Sequence, residues 1–266
     1  MSSTRGWVKG KVGGVLDQLF DFTDKVVLVT GGSRGLGRAM VLAFAERGAD
    51  AVITSRKQDN CERVAEEVGA MGRQALAYGC HVGHWEEIDA LVDAAYERFG
   101  KVDVLVNNAG MSPLYPNLSA VTEELFDKVV GVNLKGPYRL SALIGERMAA
   151  GDGGAIINVS SNAAVQPTPN SEPYGACKAG INSLTLSLAH AFGPRVRVNC
   201  IQPGPFLTDI SKAWDMDAFN KRAKTNIALQ RGGEADEVVG AALYLAGPTG
   251  SYTTGAVIAI DGGSRV

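Results

Sequence analysis

The sequence predicts an α/β fold in which helices cover both faces of a doubly wound parallel sheet of about seven strands. Short apolar segments rich in Val and Ile alternate with longer segments that carry apolar residues at helical spacing. A glycine-rich turn joins the first such strand to the first helix. No linker or repeat divides the 266 residues, so we expect a single domain over residues 22–266, preceded by an N-terminal arm over residues 1–21.

Each predicted element follows from its own residue pattern. Buried parallel strands are expected where apolar and β-branched residues run together, at 25–30, 51–55, 74–80, 102–108, 154–160, 195–201 and 256–260. Helices are expected where apolar residues recur at helical spacing, at 36–47, 60–71, 85–99, 123–149, 174–192 and 234–245. Residues 206–225 have a mixed composition and are expected to form a loop with short helical turns that covers an active site.

Asn133 lies inside the longest of these predicted helices. An Asn within a helix competes with the backbone for hydrogen bonds, so it often marks a kink or a bound water. The alternative is a surface Asn without consequence, and the sequence favours neither interpretation over the other.

The composition is that of an ordinary globular protein, with 45% hydrophobic residues, 20% charged residues and a net charge of −2. This balance gives no indication of a nucleic-acid partner or an anionic membrane surface. The four cysteines are far apart and no His spacing suits zinc, so we expect reduced thiols, no metal site and a cytoplasmic location. No segment reaches the length of a membrane span, and the N-terminal apolar run lacks the features of a signal peptide.

The glycine-rich turn over residues 31–37 lies between the first predicted strand and the first predicted helix. This arrangement directs backbone N–H groups and a helix N-terminus at a phosphate. Gly31, Gly35 and Gly37 allow the backbone to approach a pyrophosphate closely. The alternative is a tight turn that binds no ligand.

The end of the second predicted strand indicates which dinucleotide is bound. An acidic residue there usually binds the ribose 2′-hydroxyl, whereas an Arg accommodates a 2′-phosphate. Ser55 and Arg56 stand at this end with no carboxylate before Asp59, and Arg34 of the glycine-rich turn is able to reach the same phosphate. We therefore expect NADP(H) to be favoured over NAD(H), the alternative being that Arg56 is a solvated residue opening the next helix.

Ser161, Tyr174 and Lys178 form a candidate proton-transfer site. Ser161 follows a predicted strand, where open α/β sheets place their ligands. Tyr174 and Lys178 are four residues apart, so on a helix they project from the same face, and a nearby ammonium favours ionisation of a phenol. The alternative is a chance pair on a solvated helix face next to a Ser that caps a turn.

Further motifs occur in one order along the chain: Thr30–Gly37, Asn107–Gly110, Asn133, Ser161, Tyr174–Lys178 and Pro203–Gly204. Together they resemble the classical short-chain dehydrogenase/reductase family over about residues 22–263, and the resemblance implies a Rossmann-type fold. The TGxxxGxG, NNAG and YxxxK motifs of that family match the first, second and fifth of these segments. In that family the catalytic Ser lies 13 residues before the Tyr, and this spacing selects Ser161.

The resemblance implies hydride transfer between a nicotinamide and a carbonyl or carbinol carbon. Tyr174 would be the general acid or base, with its pKa lowered by Lys178 and by the oxidised nicotinamide. Ser161 would orient the substrate oxygen, Lys178 would bind the ribose, and the Asn133 backbone would hold a relaying water. The predicted cofactor-binding residues are Gly31, Ser33, Arg34, Gly35, Leu36, Gly37, Ser55, Arg56, His81, Val82, Asn108, Ala109, Gly110, Tyr174, Lys178, Pro203, Gly204, Phe206 and Thr208.

One departure from the family pattern concerns the adenine. The family usually has an Asp that binds the adenine amino group after the third strand, and this chain has His81 in that region. His81 is expected to accept a hydrogen bond through a ring nitrogen, to stack on the adenine, or to leave the adenine more loosely held.

The predicted substrate pocket is mostly apolar, which favours a small to medium substrate without heavy charge. Its predicted residues are Met111, Ala163, Gln166, Pro167, Asn170, Phe206 and Trp214.

The leading functional hypothesis is an NADP(H)-dependent carbonyl reductase or alcohol dehydrogenase acting on a small-molecule substrate. A 3-oxoacyl-[acyl-carrier-protein] reductase is the alternative, with Lys212, Lys221, Arg222 and Lys224 as a candidate basic patch. A non-catalytic dinucleotide sensor or scaffold is a third hypothesis, which would not require the intact Ser, Tyr and Lys. By analogy with the family, we expect a homo-oligomer, either a tetramer or a dimer.

Overall fold

The computed structural model describes residues 18–209, 211 and 214–264. The strands are β1 (Val26–Thr30), β2 (Asp50–Ser55), β3 (Ala75–Gly79), β4 (Val104–Asn107), β5 (Gly154–Val159), β6 (Val196–Pro203), β7 (Phe206–Leu207), β8 (Gly233–Glu234) and β9 (Val257–Ile260). The α-helices are α1 (Gly35–Glu46), α2 (Gln58–Ala70), α3 (Trp85–Phe99), α4 (Glu123–Val130), α5 (Gly136–Ala150), α6 (Glu172–Phe192), α7 (Met216–Asn226) and α8 (Val239–Ala246).

The main sheet has seven parallel strands in the order β3-β2-β1-β4-β5-β6-β9. The strand order reverses between β1 and β4, which is where sheets of this kind form a ligand crevice at the carboxyl ends of their strands. The short strands β7 and β8 form a separate parallel pair. The predicted fold class, a doubly wound α/β sheet with helices on both faces, is confirmed.

The central strands are apolar on both faces because helices cover both sides of the sheet. Every residue of β1 is buried. Val27 and Val29 of β1 pack with Phe44 of α1 on one face. Leu28 points to the other face and packs with Ile144 of α5. Side chains that alternate between two covered faces explain why the sequence shows continuous apolar strands.

A chain of buried polar side chains crosses the middle of this core. Asn107 Nδ2 donates to Asn158 Oδ1 at 2.9 Å and to Ser141 Oγ at 2.9 Å. Asn158 Nδ2 donates to Thr185 Oγ1 at 3.0 Å. These hydrogen bonds join β4 and β5 to α5 and α6. Because unpaired polar groups are costly in a core, the chain of amides fixes the positions of these four elements relative to one another.

The helix predicted over 123–149 is interrupted, which corrects the expectation of one continuous element. Residues Gly131–Lys135 form a π-helical turn between α4 and α5. Asn133 is fully buried, and its Nδ2 donates to the Val129 carbonyl oxygen at 2.9 Å and to the Met111 carbonyl oxygen at 2.9 Å. A side chain that binds a carbonyl of the preceding turn disturbs the helical ladder, so the surface-Asn alternative is wrong.

The segment after β6 is more regular than predicted. Residues Met216–Asn226 form an α-helix of 11 residues, where the sequence suggested short helical turns. The Asp215 side chain caps this helix by accepting from the Ala218 N–H at 3.0 Å. Only Phe219 and Ala223 of the helix are buried, so the apolar period is too sparse to be recognised in the sequence.

The predicted N-terminal arm lies mostly outside the described residues. Where the description begins, Phe20 and Phe22 pack against the cluster that covers one face of the sheet. The domain boundary at residue 22 stays a prediction. Among the helices of the described residues, none is both long enough and apolar enough to cross a membrane.

Candidate active site

The candidate site lies along the carboxyl edge of the sheet, where β1, β2, β4, β5 and β6 end. Most of the residues predicted from the motifs follow these strand ends or stand in the first turn of the next helix.

The glycine-rich turn is held against the end of β4 by Asn108. The Asn108 Nδ2 donates to the Thr30 carbonyl oxygen at 2.9 Å. A Cβ on Gly31 would lie 2.9 Å from that same amide nitrogen, and a Cβ on Gly37 would collide with Gly31 and Asn108. Asn108 therefore positions the turn through its side chain. The glycines at 31 and 37 are required by this close approach, whether or not a ligand is bound.

The first turn of α1 offers free backbone donors at the edge of the sheet. Gly35 has a positive φ of 51°, and the Arg34 that precedes α1 makes no side-chain capping hydrogen bond. The Arg34 side chain is exposed, Ser33 is half-buried, and Leu36 packs against the core. The uncapped N–H groups of a helix N-terminus attract anions, and these residues fit a dinucleotide phosphate.

The ends of β2 and β3 lie side by side. Ser55 and Gly79 are register partners, and the Cys80 N–H donates to the Ser55 carbonyl oxygen at 2.9 Å. The Ser55 hydroxyl contacts Cys61 Sγ at 3.1 Å, and Arg56 is exposed. The first residues past these two strands therefore face one common region, as expected for the adenosine end of a dinucleotide site.

His81 departs from one of the expected arrangements. Its Nδ1 accepts a hydrogen bond from the Gly83 N–H at 3.2 Å, and its ring stacks on His84 with centroids 4.4 Å apart. The Nδ1 atom is therefore not free to accept from an adenine amino group. Val82, the next residue, is buried in the core that covers the α3 side of the sheet.

Ser161, Tyr174 and Lys178 come together where β5 ends and α6 begins. The Ser161 Oγ accepts from the Ala163 N–H at 3.2 Å, and the Ser161 side chain lies near enough to the Tyr174 hydroxyl to influence its pKa. The Lys178 Nζ lies 5.6 Å from the centroid of the Tyr174 ring and donates to the Val159 carbonyl oxygen at 2.7 Å. The predicted constellation is therefore assembled by the protein itself.

The pKa of Tyr174 is raised above its ordinary value, contrary to the expectation that Lys178 lowers it. Burial of the hydroxyl causes the rise, and the neighbouring Ser161 side chain opposes it. Burial also lowers the pKa of Lys178, from 10.5 to about 8. The ammonium lies over the face of the Tyr174 ring and is bound to a carbonyl oxygen, so with protein groups alone the desolvation of the phenol dominates.

The loop after β4 joins Asn133 to the same region. Asn133 Oδ1 accepts from the Met111 N–H at 3.2 Å, while its Nδ2 donates to the Met111 carbonyl oxygen at 2.9 Å. A Cβ on Gly110 would lie 3.1 Å from Asn133 Oδ1 and 3.6 Å from Lys178 Nζ. The Ala109 N–H, like that of its neighbour Asn108, donates to the Thr30 hydroxyl at 3.0 Å. The NNAG segment thus passes beside the buried Lys178.

The segment after β6 contacts the glycine-rich turn from the other side. Pro203 ends β6, and the Gly204 N–H donates to the Ile260 carbonyl oxygen at 2.9 Å. The Thr208 Cγ2 lies 3.4 Å from the position that a Cβ would take on Gly35. The Phe206 side chain is buried in the core, and its predicted contact with a cofactor or a substrate stays a prediction.

Several predicted pocket residues lie on the loop between Ser161 and α6. Ala163 belongs to the one-turn helix that follows Ser161, and Pro167 is exposed. Gln166 Nε2 donates to the Ser264 carbonyl oxygen at 3.4 Å. Asn170 is exposed and has a positive φ of 66°. Their contact with a substrate stays a prediction.

The two remaining predicted pocket residues are held by their neighbours. Met111 is half-buried against the core on the α3 side of the sheet. Trp214 packs on Phe219 of α7, with ring centroids 5.2 Å apart. The structure therefore gives Trp214 a part in anchoring the start of α7, and its predicted contact with a substrate stays a prediction.

Sequence reasoning missed Tyr115 and Glu172. The buried Tyr115 hydroxyl donates to the Glu172 carboxylate and accepts from the Glu172 N–H at 2.9 Å. This contact ties the loop after β4 to the first turn of α6, two residues before Tyr174. The residues lining the adjoining cavity are Pro113, Tyr115, Val121, Leu125, Val129, Ser171, Pro173 and Tyr174. No local signal indicates a contact between residues so far apart in sequence.

The chain is therefore an oxidoreductase of the dinucleotide-binding α/β class, since its glycine-rich turn and its Ser161, Tyr174 and Lys178 share one edge of the sheet. Residues 31–265 match the family model described as enoyl-(acyl carrier protein) reductase. The chain belongs to the short-chain dehydrogenase/reductase family, whose members act on alcohol or ketone groups with NAD(P). No group of three or more His, Cys, Asp or Glu in the described residues is placed to hold a metal ion.

Relatives and solved structures cover nearly the whole chain. An L-rhamnose 1-dehydrogenase (NAD(P)(+)) from Azotobacter vinelandii is 41% identical, with 90% of this chain and 96% of the relative aligned. Dehydrogenase/reductase SDR family member 4 from Homo sapiens is 34% identical, over 91% of this chain and 87% of the relative. A structure of 7α-hydroxysteroid dehydrogenase with NADH and 7-oxo glycochenodeoxycholic acid has a TM-score of 0.89 and 30% identity, covering 94% of this chain and 97% of that chain.

Proposed function

We propose that the protein is an NADP(H)-dependent oxidoreductase that interconverts ketones and secondary alcohols of small to medium size. The observation that carries this proposal is that the Ser161 and Tyr174 hydroxyls are neighbours, with the buried Lys178 ammonium 5.6 Å from the centroid of the Tyr174 ring. Two adjacent hydroxyls, one of them a phenol, suit a carbonyl oxygen that gains or loses a proton. The relatives named above act on a sugar and on a steroid, so their names do not choose the substrate.

Within this proposal, each side chain has a separate task. Ser161 donates to the substrate oxygen and keeps it within reach of Tyr174. Tyr174 gives a proton to that oxygen during reduction and removes it during oxidation. Lys178 supplies a positive charge that opposes the effect of burial on Tyr174, and Asn133 holds the loop that passes beside Lys178.

The residues of the glycine-rich turn fit a bound dinucleotide, which supplies or accepts the hydride. The N–H groups at the start of α1 would hold its pyrophosphate, and Lys178 would hold the nicotinamide ribose. The nicotinamide end of the site would be lined by the Ala109–Gly110 backbone, Gly204 and Thr208. Because every one of these groups is already fixed by other contacts, binding would require little rearrangement.

We infer the preference for NADP(H) from the charges at the adenosine end. Arg34 and Arg56 are exposed there, and Ser55 ends the strand where a carboxylate would otherwise bind a ribose hydroxyl. A carboxylate would repel a 2′-phosphate, whereas two guanidinium groups and a hydroxyl attract it. The relatives do not decide this preference, because one is named for NAD(P)(+) and the solved structure holds NADH.

A 3-oxoacyl-[acyl-carrier-protein] reductase remains the second candidate, because α7 presents basic residues beside the site. Lys221, Arg222 and Lys224 are exposed on this helix, whereas Lys212 lies outside the described residues. An acidic carrier protein would be attracted by such a patch. The non-catalytic sensor is the third candidate and is disfavoured by the assembled Ser161, Tyr174 and Lys178.

The proposed assembly is a homo-oligomer, a dimer or a tetramer, in the cytoplasm. Tyr138 on α5 and Leu186 on α6 are 45% and 53% exposed, although each belongs to a long helix beside the sheet. Large apolar side chains on such faces are common where copies of a chain pack together. The mass of the protein in solution decides between the oligomeric states.

Turnover of a substrate panel by the wild type and by Tyr174→Phe tests the proposed function. Ketones, aldehydes and 3-oxoacyl thioesters with and without carrier protein are mixed with NADPH, and the absorbance of the reduced nicotinamide is followed. We expect at least one ketone to be reduced, and the Phe variant to lose about 10²- to 10⁴-fold in kcat, because the proton donor is gone.

Binding of NADPH to the variant, measured by its fluorescence, is the control and should be nearly unchanged. Full activity of the Phe variant would refute the assignment of Tyr174. A wild type that binds NADPH but reduces nothing would favour the sensor. A strict requirement for carrier protein would favour the second candidate.

A further inference from the structure

His81 lies at the adenosine end, close to the residues proposed to bind the 2′-phosphate. It follows β3 by two residues, and β3 ends beside β2 in parallel register. The charge of Arg56 is near enough to lower the pKa of His81. Since Arg56 is the first residue past β2, the two side chains approach one region from neighbouring strands.

The hydrogen bond from Gly83 determines which ring nitrogen of His81 carries the proton. The Gly83 N–H donates to His81 Nδ1 at 3.2 Å, so Nδ1 is an acceptor. In a neutral imidazole the other nitrogen, Nε2, then carries the hydrogen and is a donor. A Cβ on Gly83 would lie 2.9 Å from the ring atom Cε1, so only a glycine allows this approach.

Three further contacts keep the ring in this orientation. His81 stacks on His84 with an interplanar angle of 21°. His84 Nδ1 lies 2.6 Å from Glu87 Oε1, and the other carboxylate oxygen of Glu87 accepts from the His81 N–H at 2.7 Å. Turning the ring over would break the contact with Gly83 and disturb the stack.

The neutral form of His81 is favoured near neutral pH. Burial lowers its pKa most, the charges of His84 and Arg56 lower it further, and Glu87 and the backbone of His81 itself oppose them. Protonation would also place an N–H at Nδ1, directly opposite the Gly83 N–H. The ring therefore keeps one acceptor, already used, and one donor, Nε2–H.

We propose that His81 presents an N–H donor to the purine ring of the dinucleotide, the reverse of the acceptor that a carboxylate would present at this place. This inference rests on the proposed dinucleotide site. An N–H donor requires an acceptor opposite it. The Nε2–H of His81 therefore pairs poorly with the 6-amino group of adenine and well with the 6-carbonyl oxygen of hypoxanthine. The site should then accept a hypoxanthine dinucleotide as readily as an adenine dinucleotide.

The test compares the dissociation constants of NADPH and of reduced nicotinamide hypoxanthine dinucleotide phosphate, measured by fluorescence titration. For the wild type we expect the hypoxanthine form to bind at least as tightly. In His81→Asp, an acceptor replaces the donor, and the preference should move towards adenine by about fivefold to tenfold, the worth of one hydrogen bond. His190→Asp makes the same substitution on an exposed His of α6 and should leave the ratio unchanged.

A second measurement does not depend on the dinucleotide. Nitrogen NMR of the protein alone should show that the proton of the neutral His81 ring is on Nε2, with His84 and His190 as the other signals. A proton on Nδ1 would overturn the proposal, and so would a wild type that prefers adenine as strongly as the Asp variant. If neither dinucleotide binds, the proposed function fails, and this inference fails with it.

Discussion

The two ends of the candidate dinucleotide site are built differently. At the catalytic end, Lys178 and Asn133 are buried, and both are bound to backbone atoms within the core. At the adenosine end, Arg34 and Arg56 are exposed. Charged side chains in solvent contribute through attraction to a ligand, whereas buried ones also bear a cost in stability. Under the proposed function, proton transfer would therefore depend on a rigid interior, and cofactor choice would depend on a few surface charges.

The largest effect is expected from Lys178→Met, which removes a buried charge from the catalytic end. Turnover should fall by about 10³-fold or more, because Tyr174 loses the nearby positive charge. The folded protein should nevertheless become more stable at neutral pH. The fall of the Lys178 pKa from 10.5 to about 8 corresponds to about 3 kcal/mol of destabilisation, at roughly 1.4 kcal/mol for each pH unit.

The pH dependence of unfolding checks this prediction. Below about pH 8 the lysine is protonated in both states, and the folded state bears the full cost of its burial. Between about 8 and 10.5 only the unfolded state keeps the proton, so wild-type stability rises with pH. The free energies of unfolding of wild type and variant, measured in urea, should therefore converge across this range. A difference that is constant with pH would contradict the assigned cost.

A smaller effect is expected from Arg56→Ala at the exposed end. Loss of a charge-assisted hydrogen bond should weaken NADPH binding by about 10- to 100-fold and leave NADH nearly unaffected, because NADH lacks the 2′-phosphate. The two dissociation constants provide the measurement, and Lys57→Ala, the next exposed cation, is the matched control. Equal losses for both cofactors would count against a 2′-phosphate site. A normal kcat in Arg56→Ala would indicate that the exposed end affects cofactor binding and leaves turnover to the buried end.

The smallest effect is expected from Gly37→Ala in the turn between the two ends. The added Cβ would collide with Gly31 and with Asn108, so we expect about 1–3 kcal/mol of destabilisation. Both cofactors should bind more weakly, to a similar degree, because the turn serves the shared pyrophosphate. Urea unfolding and titration with NADPH and NADH measure these effects. Gly69→Ala is the control for space, since this helical glycine of α2 has nothing within 4 Å of the position of a Cβ.

The sequence predicted the sheet, and also the proximity of Ser161, Tyr174 and Lys178, because both depend largely on local patterns. Parallel strands such as β1 are continuous apolar runs, and the Tyr174–Lys178 spacing is set by one helical turn. The π-helical turn at Asn133 was not foreseen as such, because it results from a side chain that reaches across to Met111. Likewise, α7 escaped recognition because only Phe219 and Ala223 mark its buried face.

What the sequence could not provide was the balance between opposing effects and the contacts between distant residues. The spacing of Tyr174 and Lys178 suggested a lowered pKa for the phenol, but burial raises it, and burial depends on the whole fold. The pairing of Tyr115 with Glu172 joins the loop after β4 to the first turn of α6, which only the fold brings together. Which ring nitrogen of His81 carries the proton depends on the Gly83 backbone N–H, and the direction of that N–H is visible only in the structure.

The chain of amides from Asn107 through Asn158 to Thr185 has a consequence for how new specificities arise in this scaffold. It anchors the strand that leads to Ser161 and the helix that carries Tyr174 to one interior framework. Substitutions in the surrounding surface loops can therefore reshape what enters the cleft without altering the spacing of the reacting hydroxyls. Substrate selectivity can then change through the surface loops alone, while the interior keeps the arrangement of the Ser161 and Tyr174 hydroxyls.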